Sequence, residues 1–175
     1  APDTVSIGNE GPRSFGGIIA RLVNARSGAR ANLVAYSNVG VAVQNVIGGQ
    51  TDAVVADVAS TAQLVRQGRL RMLAVTTGKR IPAWAQVPAL AEVIPGFDMS
   101  GWFTLVAPTG TPATAIARMH KEVNTLLADK DMADRILTVG PIAEPLASPD
   151  AVAQFLKDEH QRWGAAAKEI GLLPE

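Results

Sequence analysis

The sequence has no cysteine, few aromatic residues and no excess of charge of either sign. Without cysteine the chain can form no disulfide, no thiolate metal site and no cysteine nucleophile. Its 16 Lys and Arg residues balance 16 Asp and Glu residues, so the net charge offers no attraction for nucleic acid or an anionic membrane. Aromatic residues make up 5%, which also argues against a base-stacking surface.

The sequence also lacks an apolar run long enough to span a bilayer. It begins with Ala1-Pro2-Asp3 rather than with a signal peptide, so we expect that any targeting segment has been removed. With 175 residues, of which 47% are hydrophobic, the chain can bury a sizeable core in one large domain or two small ones.

The segment 5–17 predicts a strand, a polar loop and the start of a helix. Phe15 begins an apolar face with helical spacing, and Ser14 before it is a suitable N-cap. Backbone N–H groups and the positive end of a helix dipole would meet there, so the loop could stabilise an anion such as a carboxylate. Taken alone, the segment is more typical of an ordinary turn that binds nothing. Gly17-Ile18 stands where a P-loop needs Lys and Ser/Thr, which argues against a nucleotide cofactor.

Strands and helices alternate over the first 75 residues. The predicted elements after the first helix are strands 31–36, 51–56 and 70–75 and helices 41–47 and 60–67. The strand at 51–56 is apolar enough to be buried on both faces, which is typical of a parallel sheet. The alternation therefore predicts right-handed βαβ units and an open α/β sheet.

Three polar loops follow predicted strands, at 8–14, 36–40 and 57–60. In open α/β sheets, ligands bind outside the carboxyl ends of the strands. We therefore expect these loops to lie together, which favours an anion site more than the first loop alone does.

The pattern changes after Thr77. A proline-rich segment at 79–88 precedes one helical turn at 89–93 and a predicted strand at 100–107. Three helices follow: one that begins with Thr111 as N-cap and Pro112 at N1, one over 132–139, and one from Ser148-Pro149 to Gly171. The first of them carries an apolar face at Ile116, Met119, Val123, Leu126 and Leu127. The last carries an apolar stripe that is predicted to be buried, at Val152, Phe155, Leu156, Trp163, Ala167 and Ile170.

Several segments, in order, resemble the extracytoplasmic solute receptors of tripartite tricarboxylate transporters, the Bug family. The matching segments are 5–17, Tyr36–Gly40, Gly48–Asp52, Gly68–Thr77, Val87-Pro88, Pro95–Phe97, Trp102–Pro112, Arg162-Trp163 and Gly171–Glu175. The resemblance extends over the whole chain but not over a whole receptor of the family.

The resemblance implies a type II periplasmic-binding-protein fold with two lobes around a cleft. Residues 1–100 would form the complete second lobe, and 101–175 would return to the first lobe, whose N-terminal part has no counterpart here. The apolar faces of 116–127 and 152–170 would normally pack on that part, and a homo-oligomer could cover them instead. Trp102 and Phe103 are expected to be core residues between the lobes.

By resemblance, the function is the capture of a small carboxylated solute for membrane transporter subunits, in the periplasm and without enzymatic activity. The first and second loops would hold one end of the solute, and Asp57 or Ser60 would recognise the other. The predicted binding residues are Gly8, Asn9, Glu10, Gly11, Arg13, Ser14, Tyr36, Ser37, Asn38, Asp57 and Ser60. No catalytic residue, metal, cofactor or nucleic-acid partner is predicted.

The loops depart from the family pattern at several positions. Asn9 replaces a usual serine, Glu10 a small residue and Gly17 a common histidine, while Ala56 stands where an acidic residue is frequent. Glu10 would oppose a bound carboxylate unless Arg13 neutralises it. Arg13 could instead contact the solute carboxylate, and both interpretations remain open.

Two other functions are considered. A hydrolase could draw on Ser14, Ser60, His120 and His160, but the sequence has no G-x-S-x-G elbow and both histidines fall on predicted amphipathic helices. An effector-binding or interaction domain of similar fold, as in a transcription regulator, would need a helix-turn-helix that this sequence does not contain.

Overall fold

The central strand of the sheet pairs in parallel with a strand on either side. Strand β1 (Ser6–Asn9) lies between β2 (Asn32–Ala35) and β3 (Ala53–Val54). Each strand is followed by a helix, so the three helices that follow all begin at the same edge of the sheet. The arrangement confirms the predicted α/β class with a parallel sheet.

The chain divides into two compact units. Unit 1 runs to Gly101 and includes the chain from Ala166 onward, and unit 2 is Trp102–Ala165. The computed structural model describes residues 4–172, so the predicted processed start and the end of the family-like C-terminus, at 173–175, lie outside the described residues. That the units correspond to the lobes of a receptor stays a prediction.

Besides the 3₁₀ helices Pro82–Trp84 and Leu90–Glu92, six α-helices are described in residues 4–172. They are α1 (Phe15–Ser27), α2 (Val39–Ile47), α3 (Val58–Arg66), α4 (Ala113–Ala128), α5 (Lys130–Val139) and α6 (Pro149–Glu169). Both α2 and α3 begin two residues earlier than predicted, because Asn38 and Asp57 act as their N-caps. The predicted N-cap Thr111 is wrong: Pro112 holds that position, and the Thr111 hydroxyl donates to the Pro108 carbonyl at 2.8 Å.

The predicted fourth strand at 70–75 is wrong. Burial alternates along the segment, with Met72 partly buried and Leu73 exposed, as in a strand with one packed face. Only Val75 forms a described bridge, parallel to Ala89, in which the Val75 N–H donates to the Pro88 carbonyl at 2.9 Å. The alternating burial therefore reflects packing on one side of the segment. A β-strand also needs hydrogen bonds to a neighbouring strand along its whole length.

Unit 1 has a core around α1 and Phe97. The most deeply buried large side chains are Phe97, Ile19 and Leu22. The Arg26 guanidinium lies 5.3 Å from the centre of the Phe97 ring and donates twice to the carboxylate of Glu169, at 2.9 and 2.8 Å. Because α1 is held along its inner face, the loop before it has a fixed support.

A second apolar cluster of unit 1 lies beneath the proline-rich segment. It comprises Ala62, Val75, Ile81, Trp84, Val87 and Ala89. On the surface above it, Arg80 donates through Nε and Nη2 to Glu92, both at 2.7 Å, and through Nη1 to the Ala85 carbonyl at 3.0 Å. Glu92 also accepts the Ala89 N–H at 2.9 Å. The ion pair therefore joins the start of this segment to the helical turn that follows it.

Unit 2 contains no strand within its described residues, so the predicted strand at 100–107 is wrong. Phe103 is 89% exposed within this chain, and its place in a core between two lobes stays a prediction. Trp102 packs its ring edge-on against Phe155, with centroids 5.6 Å apart, and donates to Glu159 at 2.9 Å. Glu159, which is 5% exposed, also accepts from Trp163 at 3.2 Å and pairs with Arg162.

The apolar face of α4 is largely exposed. Ile116, Met119 and Leu126 are exposed, and Val123 and Leu127 are only partly covered. The predicted stripe of α6 is partly covered throughout, while the buried residues of this helix are Glu159 and Ala166. The apolar periodicity therefore predicts the helices but not what covers them.

Replacing Glu92 with glutamine should lower the stability of unit 1 in a pH-dependent way. The hydrogen bonds from Arg80, then that from the Ala89 N–H, lower the pKa of Glu92 from 4.5 to about 2. The folded-state pKa is lowered, so the stabilisation is present above pH 4.5 and is lost as the pH falls toward 2. We expect a lower urea midpoint for Glu92→Gln at pH 7 and a shrinking difference from the wild type below pH 4.5.

Glu122→Gln is the matched control, since this exposed glutamate on α4 undergoes the same chemical change. A difference between wild type and Glu92→Gln that stays constant down to pH 3 would contradict the prediction.

Candidate functional site

The three predicted loops begin side by side at one edge of the sheet. In the register of the sheet, Asn9 at the end of β1 lies opposite Ala35 at the end of β2, and Gly8 lies opposite Val54 at the end of β3. The Tyr36 N–H donates to the Asn9 carbonyl, which extends the pairing into the second loop. The helix starts of α1, α2 and α3 thus share the edge at which ligands bind in open α/β sheets.

The first loop is closed by its own polar side chains. Asn9 is buried, and its side-chain oxygen accepts the Gly11 N–H at 2.8 Å. Ser14 is the N-cap of α1, as predicted: its hydroxyl oxygen accepts the Gly17 N–H at 3.0 Å. The same hydroxyl lies 2.8 Å from the Gly11 carbonyl and 3.1 Å from Glu10 Oε2. The loop is therefore held as a compact turn over the first turn of the helix.

Two glycines allow this compact turn. A Cβ at Gly16 would overlap Glu10 Oε2, and a Cβ at Gly17 would overlap the Gly11 carbonyl. Gly17 stands where the family commonly has a histidine. In the structure it also has a steric role, because it leaves space for the Gly11 carbonyl. The signal that could have indicated this role is the Gly16-Gly17 pair in the first helical turn after the N-cap Ser14.

The second loop contributes the N-terminus of α2. Asn38 Oδ1 accepts the Val41 N–H at 3.0 Å, and Ser37 and Asn38 are both exposed. Tyr36 packs against the sheet, because a Cβ added at Gly8 would lie 3.2 Å from Tyr36 Cε2. The ring therefore covers β1, and the loop presents the Ser37 hydroxyl and the neutral Asn38 cap to solvent.

The third loop presents a carboxylate at the start of α3. Asp57 Oδ1 accepts the Ser60 N–H at 2.7 Å, and Oδ2 accepts from the Ser60 hydroxyl at 2.9 Å. Both residues are exposed. Asp57 and Ser60, predicted to recognise the second end of a solute, are thus engaged with one another as a helix cap.

Three of the four side chains considered for a hydrolase have structural partners instead, and His160 is exposed on α6. His120 Nε2 lies 2.9 Å from the Leu146 carbonyl, which also accepts from Asn124 at 2.6 Å, within unit 2. Ser14 and Ser60 are engaged at the helix caps of unit 1. Over residues 4–172 no group of three His, Asp or Glu side chains is placed to hold a metal ion.

No helix in the described part of the chain is both long and apolar enough to cross a membrane. A surface hollow lined by Arg21, Asn24, Ala25, Ala29 and Ile170 lies along the C-terminal half of α1, away from the three loops.

Residues 1–172 match the family described as "Tripartite tricarboxylate transporter family receptor". The chain belongs to this receptor family. The match covers nearly the whole chain and includes the three loops and all the described elements.

Several curated relatives are about twice as long as this chain. "Protein BugT" of Bordetella pertussis is 32% identical over 156 residues, which are 88% of this chain and 47% of BugT. The chain thus spans about half the length of the relatives it matches.

Solved structures have the same fold. The R. palustris protein Rpa4515, solved with adipate, superposes with a TM-score of 0.86 at 27% identity over 99% of this chain and 58% of that one. The structure described as "periplasmic binding protein BugD" has a TM-score of 0.79 at 22% identity, over 99% of this chain and 58% of BugD. The predicted family, the fold class and the prediction of a binding protein rather than an enzyme are confirmed.

Replacing Asp57 with alanine should destabilise the receptor-family chain by about 1 kcal/mol, the usual cost of losing an N-cap side chain. The Ser60 N–H at the start of α3 would then lack its bond to Asp57 Oδ1. Asp57→Asn is the matched control, because asparagine caps helices as well as aspartate does. Urea unfolding measures both variants, and equal losses for the two would show that charge rather than capping matters at this position.

Proposed function

We propose that the chain is part of an extracytoplasmic receptor, which binds a small carboxylated solute for a tripartite tricarboxylate-type transporter. The observation that carries the proposal is the match of residues 1–172 to the receptor family. The likeness to Rpa4515, solved with adipate, supports a carboxylated solute. Such a receptor would work in the periplasm and would deliver its solute to membrane subunits of the transporter.

The start of α2 is the best position for a solute carboxylate. Its cap Asn38 is neutral, and the side chain satisfies the Val41 N–H while the N–H groups of the first two helical residues have no acceptor within the helix. The positive end of the helix dipole adds to these donors. The exposed Ser37 hydroxyl lies next to this position and supplies a further donor.

The other predicted binding residues shape the loops around this position. Gly8 accommodates the Tyr36 ring, and Asn9, Gly11 and Ser14 hold the first loop closed. Arg13 is exposed on this loop, where its guanidinium could form a bidentate contact with a carboxylate.

We also propose that unit 1 corresponds to the second lobe of the receptor and unit 2 to the returning part of the first lobe. Unit 2 exposes apolar side chains along α4, among them Met119 and Leu126, which are 56% and 53% exposed. Polypeptide that corresponds to the part of the relatives this chain does not span would cover this face. Lobe closure over the solute would then produce the form that the transporter recognises.

Calorimetric titration of the complete product of the gene that encodes these residues tests the proposed function. The probes are adipate, its monoamide and its uncharged diamide. We expect saturable binding of at least one of the two carboxylated probes and none of the diamide.

The variant Val39→Pro removes one N–H donor from the start of α2. Proline suits the first helical position, and the extended backbone of Asn38 is compatible with a following proline. Lys130→Pro is the matched control, since it places proline at the first position of α5 after the extended N-cap Asp129. We expect Val39→Pro to weaken binding about ten-fold and Lys130→Pro to leave it unchanged. Equal binding by both variants would overturn the role of α2.

A further inference from the structure

The three helix starts at the edge of the sheet differ in charge. Asp57 places a carboxylate at the start of α3, and Glu10 places one over the start of α1. At α2 the cap is the neutral Asn38. Two of the three positive helix ends are therefore already compensated by carboxylates of the chain itself.

The Glu10 carboxylate lies against the first turn of α1. Its Oε2 lies 3.1 Å from the Ser14 hydroxyl, and it fills the space that a Cβ of Gly16 would take. An anion bound at this helix start would have to occupy the same space and would meet a like charge. Glu10 is partly exposed, so its carboxylate can still accept a hydrogen bond from a bound solute.

We propose that Glu10 is a specificity-determining residue, which makes the first loop bind a hydrogen-bond-donating, non-anionic group of the solute. This inference rests on the proposed function. The solute would then carry one carboxylate, bound at α2, and at its other end an amide, ammonium or hydroxyl group, bound at Glu10. A carboxylate at both ends would bring one anionic group against Glu10.

Neutralisation of Glu10 by Arg13 is the competing account. Both side chains belong to the same loop, and an exposed ion pair of this kind contributes little. If Arg13 cancels the effect of Glu10, removing the charge of Glu10 will not change which solute is preferred.

Calorimetric titration of the complete gene product with adipate and with its monoamide separates the two accounts. Glu10→Gln keeps the length of the side chain and an oxygen that accepts from Ser14, but removes the negative charge. We expect the wild type to bind the monoamide about ten-fold more tightly than adipate, and Glu10→Gln to lose or reverse this preference. Glu144→Gln, at an exposed position of unit 2, is the control for the loss of one negative charge elsewhere, and should keep the wild-type preference.

Each outcome decides between the proposals. If adipate binds as tightly as the monoamide, and the ratio is the same in Glu10→Gln, the specificity role is overturned while the receptor function stands. If Glu144→Gln changes the ratio as much as Glu10→Gln does, net charge rather than the position of Glu10 sets the preference, and the specificity role is again overturned. If neither probe binds to the wild type or to a Glu10→Gln variant with an unchanged urea midpoint, both the receptor function for this solute class and the inference fail.

Discussion

Helix N-termini need partners for their backbone N–H groups, and this requirement governs the loop edge of the sheet. Parallel pairing brings three helix starts to that edge, and Ser14, Asn38 and Asp57 each satisfy an N–H group there. These polar side chains, which the sequence predicts to bind a ligand, are therefore engaged first in holding the helices. A solute can therefore use only the backbone N–H donors that the caps leave unsatisfied. It also meets the charge of the capping side chains.

That charge distinguishes the three positions. A neutral cap leaves the positive end of a helix available to an anion, whereas a carboxylate cap compensates it before any solute arrives. Glu10 is not itself the cap of α1, yet it lies against the same turn because Gly16 leaves room for its carboxylate. The selectivity of such a site depends as much on the residues that close the loop as on those that would touch the solute.

Local signals in the sequence predicted the N-cap at Ser14, which follows from the chemistry of a single residue, but misplaced the starts of α2, α3 and α4. The strands predicted at 70–75 and 100–107 failed, because strand formation depends on a distant partner that periodicity does not reveal. The packing of Tyr36 over Gly8 was missed for the same reason, since the contact joins two strands.

In unit 2, the burial of side chains does not follow the amphipathic pattern of the helices. Its described helices carry regular apolar faces, yet the side chain most thoroughly enclosed is the carboxylate of Glu159, held by two indole N–H groups and Arg162. A buried carboxylate is tolerated only when such donors surround it, so this cluster fixes where Trp102 lies against α6. The exposed face of α4 has no comparable contact among the described residues of the unit. An apolar stripe therefore indicates a surface that is stabilised when it is covered, whereas burial within the described part of unit 2 follows the polar contacts of Glu159.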